Sequence, residues 1–574
     1  MSSLRAEQFD SIKADSHFDV IVIGGGINGI GVYRELALQG LRVLLVERDD
    51  FCSGCSAAPS RMIHGGLRYL ENGEFSLVKE SLRERDNLLR NAPHLVRPLP
   101  TTVPIASRFN GIFNAAFSFL GLKRQPRPRG IVPIRIGLML YDLITRKGRL
   151  LPVHSFHSQQ ETRQRWPALS PRARWTATYH DAWISHPERL AIELIADTKA
   201  ASPASVALNY AELRPEDRAF HLCDREHGRT ALVTADLLVN ATGAWLDETI
   251  SQLSGQESSK RLVSGTKGSH LILDNPALFQ ALDGHMVFFE NTDGRVCVTF
   301  PYLGCVLAGS TDIRVDHAGR TRCETEEMDY ILQSLRLTFP GLEVTPEQVL
   351  FSYSGIRPLP ASDQDFTGRI SRGHFQHRID GPVPQICMVG GKWTTFRAFA
   401  EQVCDAALIE LGRQRLCSTQ NLAIGGGRDF PGAGPLAQQL RDEFGIPAER
   451  ASRLATIYGS TARAFLHFAG TRSDDLPLTP GCPLTGAEIA WIAAREQVEH
   501  LTDLILRRSD LAITGRLNAA TITAAAESIA RVLSWDAARI QAETDALTSE
   551  LALWHGVSPE TLENRNEEGN HHAA

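Results

Sequence analysis

The first residues whose types and spacing could do chemistry are Gly24-Gly25-Gly26-Ile27-Asn28-Gly29, which fit G-x-G-x-x-G, and Glu47, 23 residues after Gly24. This set suits an adenine dinucleotide. Gly24 permits a tight turn, Gly26 lets backbone approach a pyrophosphate, and Gly29 lets a helix pack close to a strand. N–H groups at the helix start attract the phosphates. An acid at the place of Glu47 accepts hydrogen bonds from a ribose. Cys52 and Cys55 form a C-x-x-C, which is a redox pair in some flavoprotein disulfide reductases. No second Cys or Cys/His pair stands at zinc spacing, so no metal site is expected.

The surrounding elements must position these residues. Residues 18–23, FDVIVI, read as a buried parallel strand. A helix is expected over 30–38, ending at Gly40, and a second strand over 41–46. Farther on, the apolar run 235–239 leads into Asn240-Ala241-Thr242-Gly243-Ala244-Trp245, a small-residue turn that would lie beside the first. A glycine turn this early, with a second nucleotide-type strand far downstream, suits a flavoprotein.

Composition narrows the class. The 574 residues amount to roughly four domains' worth of chain. With 43% hydrophobic and 22% charged residues the chain is an ordinary globular one, not a disordered one. Its 60 Lys and Arg against 66 Asp and Glu give a net charge of -6, which argues against nucleic acid as a partner. Residues 1–16 lack the apolar segment of a signal peptide, and no apolar stretch is long enough to span a bilayer. Ten scattered cysteines fit a reducing cytoplasm better than a disulfide framework.

Six further motifs recur in order: Ile63-His64-Gly65-Gly66-Leu67-Arg68-Tyr69-Leu70-Glu71, Arg135-Ile136-Gly137-Leu138 with Tyr141-Asp142, Lys267-Gly268-Ser269-His270, Gly309-Ser310-Thr311-Asp312, Tyr353-Ser354-Gly355-Ile356-Arg357-Pro358-Leu359 and Gly390-Gly391-Lys392-Trp393-Thr394-Thr395. With the glycine turn they resemble the FAD-dependent glycerol-3-phosphate dehydrogenases, a branch of the D-amino-acid-oxidase-like flavoproteins. The resemblance covers about residues 17–515. It implies FAD as cofactor and oxidation of sn-glycerol 3-phosphate to dihydroxyacetone phosphate, with electrons passing to a quinone. The fold it implies is α/β. A Rossmann-like FAD-binding domain (17–110, 190–265 and 380–424) is interleaved with a mixed-sheet substrate domain (111–189 and 266–379), and a C-terminal helical domain follows (425–562).

The resemblance also carries site residues. Arg68, Tyr69, Arg357, Arg372 and Lys392 match positions at the substrate, where a doubly charged phosphomonoester suits the Arg fork. The proton acceptor should titrate near neutrality, which favours a histidine, His270 or His64. Arg357 stays charged and would stabilise a developing alkoxide. Lys392 would favour negative charge on the reduced ring. Gly24, Gly26, Asn28, Gly29, Glu47, Ser56, Ser60, His64, Gly66, Leu67, Thr242, Gly243, Gly391, Lys392 and Thr394 are the expected cofactor contacts. Small hydroxyl residues such as Ser56 and Ser60 lie along the flavin phosphates in the family, which argues against redox use of Cys52 and Cys55.

One segment departs. Asp181-Ala182-Trp183-Ile184-Ser185-His186-Pro187-Glu188-Arg189-Leu190 stands where the family usually has a tryptophan, an acidic pair and Ala-Arg-Leu. If it lines the polyol end of the pocket, a longer substrate such as an erythritol phosphate becomes an alternative. An oxidase that uses oxygen is another. Residues 131–144 are apolar, with Lys123, Arg124, Arg127 and Arg129 before and Arg146, Lys147 and Arg149 after. Such a segment is either a core helix with a basic rim or one lying in a membrane interface. The quinone favours the latter, so the expected place is cytoplasmic, peripheral on the inner face of the membrane. A homodimer is a further expectation. Past the Gly/Pro-rich break at 425–435, helices are expected over 488–508 and 519–546. Arg507-Arg508 reads as a solvated charge pair or a basic docking face.

Overall fold

A computed structural model describes residues 4–66, 74–106, 131–146, 148–254, 261–291, 293, 295–362 and 372–572. Among the described residues, two sheets and a block of helices make up the fold.

The strand His17–Ile23 is central to the first sheet. It pairs in parallel with Val43–Val46 on one side and Thr230–Asn240 on the other. Val206–Leu208 extends the sheet beyond Val43–Val46, and Gln385–Gly390 and then His374–Ile379 extend it beyond Thr230–Asn240. All four residues of Val43–Val46 are buried, as expected of a parallel strand covered on both faces. The helix Ile27–Leu38 buries ten of its twelve residues. It cannot present a polar face, because it lies between Phe396–Glu410 and Pro187–Ala201. Gly31 makes this packing possible, since a Cβ there would come within 2.9 Å of the Phe396 ring.

The second sheet runs in the order Ile313–Val315, Val263–Leu273, Cys305–Gly309, Val296–Tyr302, Met286–Glu290, Val96–Ile105, Trp175–Ile184 and Met62–Ile63. Val349–Pro360 pairs antiparallel along nearly the whole of Val263–Leu273. These strands shift the expected boundaries. Val96–Ile105 pairs with Trp175–Ile184 at all ten positions and so belongs to the second sheet. His374–Ile379 forms a hairpin with Gln385–Gly390 and so belongs to the first. Hydrogen-bonded partners, not chain position, decide which sheet owns a segment.

The C-terminal helices share a core with the second sheet: Ile272, Phe300 and Phe351 pack with Leu504, Ile505 and Leu511. The helix expected over 488–508 is broken into Gly486–Arg495, Leu501–Asp503 and a π-turn Leu504–Arg508. Gln497 takes a left-handed conformation (φ 50°), and the Asp503 carboxylate accepts the N–H groups of Glu499 and His500 to start the next turn. The 519–546 region is likewise two helices, Ala519–Leu533 and Ala537–His555. Ser534 ends the first in a left-handed conformation, and the Asp536 side chain caps the second by accepting the Arg539 N–H.

Candidate active site

The glycine turn sits where the first sheet meets its helix. Gly24 has φ 104°, and a Cβ there would come within 2.7 Å of the Ala241 carbonyl oxygen. A Cβ on Gly29 would collide with the Gly24 carbonyl. The Ile27 N–H donates to Ser56 Oγ at 3.0 Å. The Glu47 carboxylate accepts the Gly25 N–H at 2.6 Å and the Asp49 N–H at 2.9 Å. It therefore closes the turn and keeps lone pairs for a ribose.

A cavity of about 870 Å³ runs along this turn, lined by Gly24, Gly26, Asn28, Glu47, Ser56, Thr242, Gly243, Gly391 and Lys392 among others. Asn28 donates from Nδ2 to the Gly390 carbonyl at 3.2 Å, while its buried Oδ1 has no partner among the described residues. A close-packed glycine backbone, a helix start and an orphaned acceptor fit a dinucleotide.

Several expected cofactor contacts do not line this cavity: Gly29, Ser60, His64, Gly66 and Thr394. Gly29 instead seats the helix on the turn. Thr394 Oγ1 accepts the His64 N–H at 3.2 Å, and Asp181 Oδ1 accepts the Gly65 N–H at 2.9 Å. Those two bonds fix the backbone of the His64 segment from both sides. Leu67, Arg68 and Tyr69 lie outside the described residues.

The expected chemistry gathers on the second sheet. In the register of Val263–Leu273 with Val349–Pro360, His270 faces Tyr353, Gly268 faces Gly355 and Thr266 faces Arg357. Opposed residues at two-residue steps share one face, so the K-G-S-H and Y-S-G-I-R-P-L motifs deliver His270 and Arg357 to the same side. Gly268 lets the Arg357 side chain lie flat over the neighbouring strand, because any Cβ there would strike the guanidinium.

Arg357 Nη1 donates to the Thr311 carbonyl and to Asp312 Oδ1, each at 3.2 Å, and Nη2 donates to Ser310 Oγ at 3.2 Å. Arg372 reaches the other Asp312 oxygen at 3.2 Å. Asp312 thus ties the two arginines together. The Ser310–Asp312 turn is itself held by Glu327, which accepts from Thr311 Oγ1 at 2.6 Å and Ser269 Oγ at 2.8 Å and pairs with Lys267.

His270 is 1% exposed, stacks on Tyr353 with ring centroids 5.0 Å apart, and has no partner for either ring nitrogen among the described residues. Burial, reinforced by Arg357 and Arg61, pushes its pKa down to about 3. Burial also pushes His64 down to about 4, with Lys392 and Arg372 adding and Asp181 opposing. Both imidazoles are therefore neutral at pH 7 but weaker bases than the near-neutral acceptor expected from the sequence, because burial disfavours the imidazolium. Burial pushes the Lys392 ammonium down to about 7, against the pull of Glu74 and Glu80.

Three features escaped the sequence. Asp312 and Asp181 were visible as acids, but nothing local marks what they hold. Arg61 and Glu188 form a buried ion pair 127 residues apart in sequence. Arg507 and Arg508, read as a solvated pair or a basic docking face, both meet Asp50, with Arg508 buried and Arg507 half-buried. The departing segment is placed by its contacts: Glu188 meets Arg61, the Ser185 carbonyl accepts from Tyr302 at 2.7 Å, and His186 lies 3.6 Å from Asp510. Cys52 and Cys55 are free thiols whose pKa values are both raised by burial, the reverse of a reactive thiolate.

A glycine-turn channel closed by an acid, beside a sheet face carrying Arg357 and the neutral His270, fits a dinucleotide-dependent oxidoreductase. Residues 19–397 match the family "FAD dependent oxidoreductase", and residues 417–540 match "C-terminal domain of alpha-glycerophosphate oxidase". A glycerol-3-phosphate dehydrogenase of Synechocystis is 33% identical over 521 residues, covering 86% of this chain and 89% of that protein. The D-erythritol 1-phosphate dehydrogenase of Brucella abortus is 29% identical, covering 86% and 94%. In fold the chain resembles the FAD-complexed glycerol-3-phosphate dehydrogenase of Bacillus halodurans (TM-score 0.74, 23% identity, 97% and 98% covered). The chain belongs to the FAD-dependent oxidoreductases and, within them, to the glycerol-3-phosphate dehydrogenase family. Its cofactor is FAD.

Proposed function

We propose that the chain oxidises sn-glycerol 3-phosphate to dihydroxyacetone phosphate and passes the electrons to a quinone. The observation that carries this reading is the sheet register that puts neutral His270 and cationic Arg357 on one face, with Arg372 bound to the same Asp312. FAD, when bound, supplies the hydride acceptor. Gly24, Gly26, Ser56, Thr242 and Gly243 hold it, and Glu47 takes its ribose. Arg372 and Arg357 hold the phosphomonoester, with Arg68 as the third cation, and Asp312 keeps the two forks aligned. His270 takes the proton of the C2 hydroxyl, and Arg357 offsets the negative charge developing on that oxygen. Lys392, which lines the cofactor cavity, favours negative charge at the flavin end.

The departing segment's contacts run to Arg61, Tyr302 and Asp510. His186 and Glu188 of that segment also line the cavity, so the erythritol phosphate of the Brucella relative stays the alternative substrate. Steady-state kinetics with a soluble quinone decide the point. We expect kcat/KM for glycerol 3-phosphate to exceed that for erythritol phosphate by at least about fivefold, since a misfitted polar group costs more than about 1 kcal/mol. A higher value for erythritol phosphate overturns the substrate. Peroxide formed in air at the rate of quinone reduction overturns the acceptor.

The membrane reading is supported by the helix Ile131–Ile144. Leu138 and Tyr141 bury against Val78, Leu82 and Tyr179, while Ile136 (57% exposed), Met139, Leu140 and Leu143 (63% exposed) form one apolar stripe facing outward. Arg135 and Arg146 are exposed beside it; Lys123, Arg124, Arg127, Arg129 and Lys147 lie outside the described residues. No described helix is long and apolar enough to cross a membrane. The double variant Ile136→Glu, Leu143→Glu is expected to lower co-sedimentation with anionic phospholipid vesicles by about tenfold, without changing turnover of a soluble acceptor. Unaltered sedimentation removes this helix as the contact.

A further inference from the structure

The C-terminal helices reach the cofactor channel through Asp50. Arg508 is fully buried and forks onto both Asp50 oxygens at 2.8 Å, while its Nη2 also donates to the Glu496 carbonyl at 3.1 Å. Arg507 donates to Asp50 from Nε and pairs with Asp503, which accepts the Tyr210 hydroxyl at 2.6 Å. Asn209 Nδ2 adds a bond to Asp50 at 2.9 Å. Asp50 is 1% exposed, and the two guanidinium groups hold its carboxyl well below the usual carboxylate range despite its burial.

Asp50 stands three residues after Glu47, at the start of the loop that also carries Ser56. The loop is anchored to the glycine turn by the Cys52 N–H donating to the Gly25 carbonyl at 3.0 Å. Glu47, Asp49 and Asp50 line the cavity from the first sheet, and Thr502 and Arg507 line it from the C-terminal block. A buried carboxylate between two arginines tolerates loss of a partner poorly, because a charge is left unpaired. The loop and the π-turn Leu504–Arg508 must therefore be placed together.

We propose that Arg507 and Arg508 are positioning residues for FAD: through Asp50 they set the loop that presents Glu47 and Ser56, so cofactor affinity and docking of the C-terminal helices are one coupled equilibrium. Coupling of this kind is reciprocal, so FAD tightens the π-turn as much as the π-turn tightens FAD. The inference rests on the assignment of the channel to FAD.

The test uses full-length apoprotein titrated with FAD, read by quenching of flavin fluorescence. Asp50→Asn and Arg508→Gln are each expected to weaken FAD Kd by about tenfold or more, and the double variant by much less than the product of the two, as for groups acting as one unit. Arg453→Gln breaks another ion pair of the same block, that with Glu488; it is expected to lower Tm and leave FAD Kd unchanged. Gly26→Val separates the two claims. It must abolish FAD binding if the channel is the cofactor's, whereas wild-type Kd in both Asp50→Asn and Arg508→Gln overturns the coupling alone. Should the variants not fold, amide exchange of the unaltered protein decides. FAD is expected to slow exchange over 504–508 at least about tenfold more than over 433–469, and equal slowing overturns the proposal.

Discussion

Replacing Arg357 with Ala is expected to lower kcat/KM for glycerol 3-phosphate by about a thousandfold. Truncating one side of a hydrogen-bonded charge pair that bound substrate closes off from water costs roughly 2–5 kcal/mol, and about 4 kcal/mol corresponds to three decades in rate. Arg357 is the cation best placed for this. Its side chain lies across Gly268 and is fixed by Ser310, Thr311 and Asp312, so its fork needs no ordering when substrate arrives. Arg357→Lys keeps the charge but not the fork and should recover only part of the loss. Steady-state kinetics also sort the role. A fall in both kcat and kcat/KM marks stabilisation of the reacting oxygen, whereas a rise in KM alone marks phosphate binding. A loss below about fivefold contradicts the placement of Arg357 at substrate, since a hydrogen bond to a charged group is worth more than about 1 kcal/mol.

The second large effect is expected for His270→Asn, with kcat reduced by roughly a hundredfold to ten-thousandfold, the range of a removed general base. Asn approximates the size and polarity of the ring but accepts no proton. The pH dependence separates this from a packing defect. Burial and the nearby Arg357 and Arg61 hold His270 down to about 3. A lowered histidine pKa means the ring stays neutral at every pH above that value, at the cost of lower basicity. The wild-type profile should therefore show no imidazole limb near pH 6.5. Lys392, lowered to about 7, is charged below that pH and neutral above it, so activity should decline on the alkaline side. His270→Asn should scale the profile down and leave this alkaline limb in place. Unchanged kcat across the range removes His270 as the base and leaves His64, the other buried neutral ring.

Much of the cofactor half was legible because its signals are local. The apolar run at 18–23, the glycine turn and the acid at 47 fall within one strand–helix–strand unit, and the structure forms that unit as His17–Ile23, Ile27–Leu38 and Val43–Val46. The substrate half was legible only through motifs. Nothing in the K-G-S-H string shows that it pairs with a strand more than eighty residues later, yet that register is what sets His270 beside Tyr353 and Arg357 above Gly268. Ion pairs were illegible for the same reason. Arg508 and Asp50 lie 458 residues apart in sequence and in contact in space, so a pair of arginines in a helical stretch read as solvated or as a docking face. The departing segment at 185–188 signalled a difference but not its direction. Its side chains turn toward Arg61 and Asp510, and that is a matter of strand orientation and long-range packing.

The most direct test of the central claim is anaerobic titration of the purified flavoprotein. One equivalent of sn-glycerol 3-phosphate should bleach the oxidised flavin absorbance and release dihydroxyacetone phosphate, while glycerol without its phosphate should leave the spectrum unchanged. Bleaching by free glycerol, or no bleaching by glycerol 3-phosphate in a protein fully loaded with FAD, would contradict a site built from Arg357, Arg372 and His270.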